Sequence, residues 1–161
     1  MEIGVIGVGR MGTAMARNLI KAGHNVYLFD TMPDGPRALE KEGGNVVSSA
    51  KEAFRGDVCI SMLSNDDAMR AVFIDGGLPP QGAKTIHMNM ATASVAMAQE
   101  LAAHHKARGV PYVAACVWGG PMPPPRPSSP LWWLGRKPRS TRSSRCSDRW
   151  LNGTPASATI R

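Results

Sequence analysis

At 161 residues, with a formal net charge of +7 and three cysteines scattered at 59, 116 and 146, the chain has room for one domain with a sizeable core but holds neither a disulfide framework nor metal-ligand spacing. No run of ~20 apolar residues is present, so no helical membrane span is indicated; a strand pattern begins at once, so no signal peptide is expected, and the scattered thiols suit a reducing cytoplasm. The charge is unevenly placed: residues 1–117 carry 11 Lys and Arg against 11 Asp and Glu, whereas residues 118–161 carry 8 against a single acid, Asp148.

In chain order, Ile3, Val5 and Ile6 form an apolar run that reads as a buried strand. Gly7, Gly9 and Gly12 follow in the spacing G-x-G-x-x-G, and an amphipathic run over 11–21 reads as a helix stopped by Gly23. A second strand over 26–29 ends at Asp30, 18 residues past Gly12. Strand, glycine turn, helix, strand and acid in this order make the dinucleotide-binding fingerprint. Gly7 permits the tight turn, Gly9 lets the backbone approach a pyrophosphate, and Gly12 lets the helix pack on the strand. The helix N-terminus offers unpaired N–H groups and a positive dipole end to phosphates. Asp30 is placed to accept hydrogen bonds from the adenosine ribose. The plain alternative is a glycine turn in a doubly wound fold that binds nothing.

Residues 31–36 read as a loop, 37–42 as a short helix stopped by Gly43 and Gly44, and 45–47 as a third strand. Ser48 or Ser49 caps a helix over 50–55, and 57–63 forms a fourth strand with Cys59 buried in it. Ser64, Asn65, Asp66 and Asp67 open a helix through Ile74, its acids in the first turn where the dipole favours them. A fifth strand spans 84–88; Thr92 or Ser94 starts a long helix to Arg108, which Gly109 ends; a sixth strand spans 110–114. This alternation predicts an α/β, Rossmann-type doubly wound parallel sheet with helices on both faces. Its ligand would sit outside the carboxyl ends of the strands, near 7–12, Asp30, 63–65 and 87–91. His24 reads as a surface residue, His104 and His105 as late-helix positions where a cation suits the dipole, and His87 as the end of a strand at that edge. Glu100 and Lys106 read as a solvated helix face.

The run from Gly7 to Leu19, Gly-Val-Gly-Arg-Met-Gly-Thr-Ala-Met-Ala-Arg-Asn-Leu, closely resembles the opening of the β-hydroxyacid dehydrogenases. That family includes 3-hydroxyisobutyrate and 6-phosphogluconate dehydrogenases and the related imine reductases. Lys21-Ala22-Gly23-His24-x-Val26, Ser61-Met62-Leu63-Ser64, and Leu101-Ala102 through Gly109-Val110 extend the resemblance over residues 1 to about 117. It implies a nicotinamide cofactor and hydride transfer to or from a small hydroxy acid, carbonyl or imine. It also implies that Arg10 and Met11 sit over the pyrophosphate, that Leu63 and Ser64 lie beside ribose and adenine, and that Met90 lies near the nicotinamide, where the family usually has Thr in an Asp-x-Ser-Thr segment. Asn89 can hydrogen-bond a substrate carboxylate; Met90 cannot. Family members that take NADP often carry Arg after the second strand. Thr31 stands there and Asp30 would repel a 2′-phosphate, so NAD is favoured over NADP, with Arg37 expected to face solvent.

From Trp118 the composition breaks: all four tryptophans (118, 132, 133, 150) and 8 of the 13 prolines lie beyond it. Residues 118–161 are expected to be an irregular, disordered Pro/Arg/Trp-rich tail and no domain. A basic nucleic-acid-binding arm is one reading of it. A stronger reading is a reading-frame error: one base out of register, Trp132-Trp133 is forced to encode Val, and permitted codons elsewhere give family-like sequence, so one lost base near codon 118 explains prolines, tryptophans and charge together. Nucleic acid is then not an expected partner. The helix that carries the family's catalytic lysine would be missing, as would the dimerising C-terminal domain; Lys137, the tail's only lysine, lies in no matching motif. Residues 1–117 are thus expected to be a dinucleotide-binding domain with no catalytic residue and no turnover. A stand-alone nucleotide-binding module is the alternative.

Overall fold

The computed structural model describes residues 1–117, so the expectations for 118–161 lie outside the described residues. Six parallel strands, β1 (Glu2–Ile6), β2 (Asn25–Phe29), β3 (Asn45–Val46), β4 (Val58–Ser61), β5 (Ile86–Asn89) and β6 (Tyr112–Ala114), lie in the order β3-β2-β1-β4-β5-β6. The order reverses between β1 and β4, which opens a crevice at their carboxyl ends. The register sets Ile6 against both Phe29 and Ser61, Ser61 against Asn89, and Asn89 against Ala114, so these strands end level along one edge.

The helices are α1 (Arg10–Lys21), α2 (Asp34–Glu40), α3 (Ala50–Ala53), α4 (Asp66–Met69), continued by a wider π turn over Arg70–Asp75, and α5 (Val95–Ala107). β1 is buried on both faces: Ile3 and Val5 join Val8, Met15, Leu19, Val26, Leu28 and Ile60 on one side, while Ile6 joins Phe54, Cys59, Met69, Phe73, Met97 and Leu101 on the other. Period-2 alternation in a strand covered on both sides explains why the sequence reads there as one apolar run.

Local chemistry sets the helix ends. Ser49, Asn65 and Ser94 cap α3, α4 and α5, accepting from the N–H groups of Glu52, Ala68 and Met97. α1 and α5 end in turns closed by positive-φ Gly23 and Gly109. In each, the following residue folds back, His24 N–H donating to Leu19 O and Val110 N–H to His105 O. That fold-back overturns the surface reading of His24, which is buried at 7% exposure. His105 is also no dipole-side cation: it shares the inward face of α5 with Met97 and Leu101, eight and four residues earlier, and is fully buried. Cys59 is buried as expected. Lys106 is exposed, whereas Glu100 pairs with Arg70 across to the π turn.

Candidate functional site

The glycine turn leaves β1 at Gly7, whose φ of +93° suits only glycine, and whose N–H donates to the Phe29 carbonyl at 2.9 Å. A side chain on Gly7 would run into the Met62 carbonyl and Leu63, and one on Gly12 into the Gly7 carbonyl. These two glycines therefore let β1, α1 and the end of β4 close on one another. Gly9 differs: a Cβ there would meet nothing within 4 Å. It precedes α1, offers no side-chain cap, and no acid stands in the first turn of that helix. No side chain caps the first turn of α1, whose N–H groups stand at the positive end of the helix dipole. An uncapped helix N-terminus of this kind suits an anion such as a pyrophosphate.

Asp30 follows β2 at the same edge. Its Oδ2 accepts the Val8 N–H at 2.6 Å, and its Oδ1 accepts the Met32 N–H at 2.9 Å and the Thr31 hydroxyl at 3.4 Å. One carboxylate therefore ties the loop after β2 to the glycine turn, and a carboxylate's four acceptor positions leave room for hydroxyl donors. Arg10, Thr31 and Ser64 are exposed, and Met11, Asp30 and Leu63 half-buried. Together with Gly7, Gly9 and Gly12, the structure brings these residues to one edge.

Asn89 and Met90 are turned inward instead. Met90 N–H donates to Ser61 O, carrying the strand geometry one residue past β5, so its side chain packs in the core with Val8 and Met15 at 5% exposure. Thr92, two residues on, is the exposed hydroxyl of this turn; sequence reasoning read it only as a helix start, although its position after a strand was a usable signal. Asn89 is 2% exposed; its Oδ1 accepts the Ala91 N–H and lies 3.1 Å from Ser61 Oγ, and its amide points at Met69 Sδ. His87 is not at the edge: it lies two residues inside β5, fully buried and stacked on Phe73 with ring centroids 4.2 Å apart. Burial holds its ring well below the ordinary histidine range, and burial lowers His105 to about 4, so both rings are neutral near pH 7. Burial raises the Tyr112 phenol beside them, which the Asn89 amide partly offsets. No cluster of metal-ligating side chains occurs among the described residues, and none of their helices is long and apolar enough to cross a membrane.

Comparisons with known proteins agree with this geometry. The chain is 33% identical over 122 residues to the 3-hydroxyisobutyrate dehydrogenase of Pseudomonas aeruginosa, and equally to its NAD-dependent L-serine dehydrogenase, covering 74% of this chain and 41% of each of those proteins. The solved 3-hydroxyisobutyrate dehydrogenase of Mycobacterium tuberculosis with L-serine superposes with a TM-score of 0.67 at 34% identity, over 74% of this chain and 41% of that one. An imine reductase from Pseudomonas sp. superposes with a TM-score of 0.63 at 25% identity, over 69% of this chain and 39% of that one. The chain thus spans about two fifths of the length of these relatives. The family profile described as the NAD binding domain of 6-phosphogluconate dehydrogenase matches residues 2–123, running six residues past the expected boundary at 117. A sheet reversing at β1 and β4, an open glycine turn and this match lead to one statement: the chain belongs to the family of the NAD binding domain of 6-phosphogluconate dehydrogenase.

Proposed function

We propose that this domain binds NAD in preference to NADP and is the cofactor half of an oxidoreductase acting on a small hydroxy acid or a related carbonyl or imine. The observation that carries the reading is the open space at Gly9 beside the uncapped N-terminus of α1. There Arg10, Met11 and the first-turn N–H groups would hold the pyrophosphate. The remaining acceptor positions of Asp30, beside Thr31, would take the adenosine ribose hydroxyls, with Leu63 and Ser64 as the facing wall. The bound nicotinamide would supply hydride donation or acceptance. Asp30 and the lack of a cation at Thr31 disfavour a 2′-phosphate. No general acid–base lysine falls among these residues, so the chain as it stands binds without turning over. An out-of-register tail after about residue 118 would account for that loss, and the DNA across codons 110–161 decides it.

The test is a fluorescence titration with NADH and NADPH, followed by an assay with 3-hydroxyisobutyrate and L-serine, the compounds that the relatives' names supply. Saturable NADH binding, NADPH weaker by about tenfold or more, and no turnover are expected. Equal affinity for the two cofactors removes the NAD preference, and turnover at ordinary enzyme rates refutes the loss of catalysis.

A further inference from the structure

Behind the carboxyl ends of β4 and β5 lies a row of polar groups that the dinucleotide reading does not use. His87 and His105 are both fully buried, stacked at 4.8 Å between centroids, with His87 Nδ1 2.8 Å from His105 Nε2. At one end, His105 Nδ1 lies 2.7 Å from the Leu101 carbonyl. At the other, His87 Nε2 lies 2.8 Å from Ser61 Oγ, which lies 3.1 Å from Asn89 Oδ1. Asn89 Oδ1 also faces the Ala91 N–H at 3.2 Å, so the row ends in the turn that leads to the exposed Thr92.

These four contacts need four hydrogens, and the neutral groups supply three. A carbonyl only accepts, so His105 Nδ1 carries a hydrogen and, in the neutral ring, Nε2 accepts. His87 Nδ1 must carry the next, which leaves its Nε2 to accept the Ser61 hydroxyl. Nothing then remains between Ser61 Oγ and Asn89 Oδ1. One proton added at His87 Nε2 reverses the last two links: the imidazolium donates to Ser61 Oγ, and the freed hydroxyl donates to Asn89 Oδ1. Only a hydroxyl rotation is required.

We propose that His87, His105 and Ser61 form a proton-operated latch on the 89–91 turn, in which uptake of one proton from solvent moves the Ser61 hydroxyl from His87 to Asn89. The groups around the pair set where it operates. From β4, Cys59 is buried with its thiol pushed up, and from β6 the Tyr112 phenol is raised, so both stay neutral. From α5, His104 and Arg108 oppose charge on His105. The π turn contributes the Phe73 face, with Arg70 and Asp75 exposed, and the segment after α3 contributes Phe54, with Arg55 drawn over Tyr27. Burial and positive neighbours therefore place the uptake below the ordinary histidine range, and completion of the hydrogen-bond row favours it. The latch does not rest on the dinucleotide reading; its effect on binding does.

The experiment follows the ring nitrogens of both histidines, the Asn89 side-chain amide and the Ala91 amide by NMR in the full chain, from about pH 7.5 to about 3.5, with NADH titrations alongside. The Asn89 and Ala91 signals are expected to move with the His87 midpoint in the wild type and to lose that coupling in Ser61→Ala. NADH affinity is expected to change by about threefold with the same midpoint. Should Ser61→Ala fail to fold, His87→Phe takes its place: Ser61 then donates to Asn89 at every pH, and the Ala91 signal no longer titrates. The latch is overturned if Asn89 and Ala91 ignore the ring, if the coupling survives in Ser61→Ala, or if the chain unfolds before either ring takes a proton. Failure of NADH to bind at any pH sinks the dinucleotide reading alone, since the NMR titration still decides the latch.

Discussion

The two sides of the sheet's carboxyl edge are built from different material. Around β1, α1 and β2 the working groups are backbone: glycines without a Cβ, the first N–H groups of α1, and one carboxylate bound to the Val8 and Met32 amides. Around β4, β5 and α5 they are side chains turned inward, with Ser61, His87, Asn89 and His105 all buried. A backbone site is defined by where side chains are forbidden or left out. A side-chain network depends on strands and helices first coming into register. The first is therefore robust to its neighbours and intolerant of bulk; the second is tolerant of small changes in shape but sensitive to charge.

The largest expected effect tests the intolerance. Gly12→Val drives side-chain atoms into the Gly7 carbonyl and should destabilise the domain by about 3 kcal/mol, read as a fall in the urea midpoint. An unchanged midpoint would mean that α1 can lift off β1 freely, and the contrast between the two sides would weaken.

Acid comes next. In the native fold His105 titrates at about 4 instead of 6.5, and His87 is lowered too, so the unfolded chain binds more protons between those values. The stability contributed by neutral rings is complete above pH 6.5 and is lost as pH falls toward 4. For His105 alone the loss by pH 4.5 is about 2.5 kcal/mol. Denaturation series at several pH values check this, and His105→Phe should flatten the profile. A profile that stays steep in that variant would assign the acid sensitivity to other groups.

The smallest effect on stability is the most informative about the site. Gly9→Ala adds a methyl group into open space, so stability should change by less than about 1 kcal/mol while NADH affinity drops about tenfold. Calorimetry of the free and NADH-bound chain separates the two. If binding is untouched, Gly9 is spacing and not a cradle.

Legibility in the sequence follows the same division. Gly7, Gly9, Gly12 and Asp30 were readable because their spacing alone meets the requirements of a turn, a close approach and a strand end. The caps at Ser49 and Ser94 were readable as one of two neighbouring candidates each, since a hydroxyl three residues before a helical N–H is a local rule. Met90 was misplaced because the strand geometry continues one residue beyond the apolar run, through its bond to Ser61, and this reverses which side chain faces the edge. His105 was read from its distance to the helix end, although its spacing from Met97 and Leu101 put it on the buried face. The pairing of His87 with His105 joins residues 18 apart, and no local pattern announces it.

By itself, then, the sequence determined the sheet's composition, the place of the glycine turn and the family, because glycine spacing and hydrophobic period act over a few residues. Only the tertiary structure decided that Asp30 clamps the glycine turn, that Asn89 and Met90 face inward while Thr92 faces out, and that two histidines share one buried contact. Those outcomes depend on which strand lies beside which, and strand order is a property of the packed sheet as a whole.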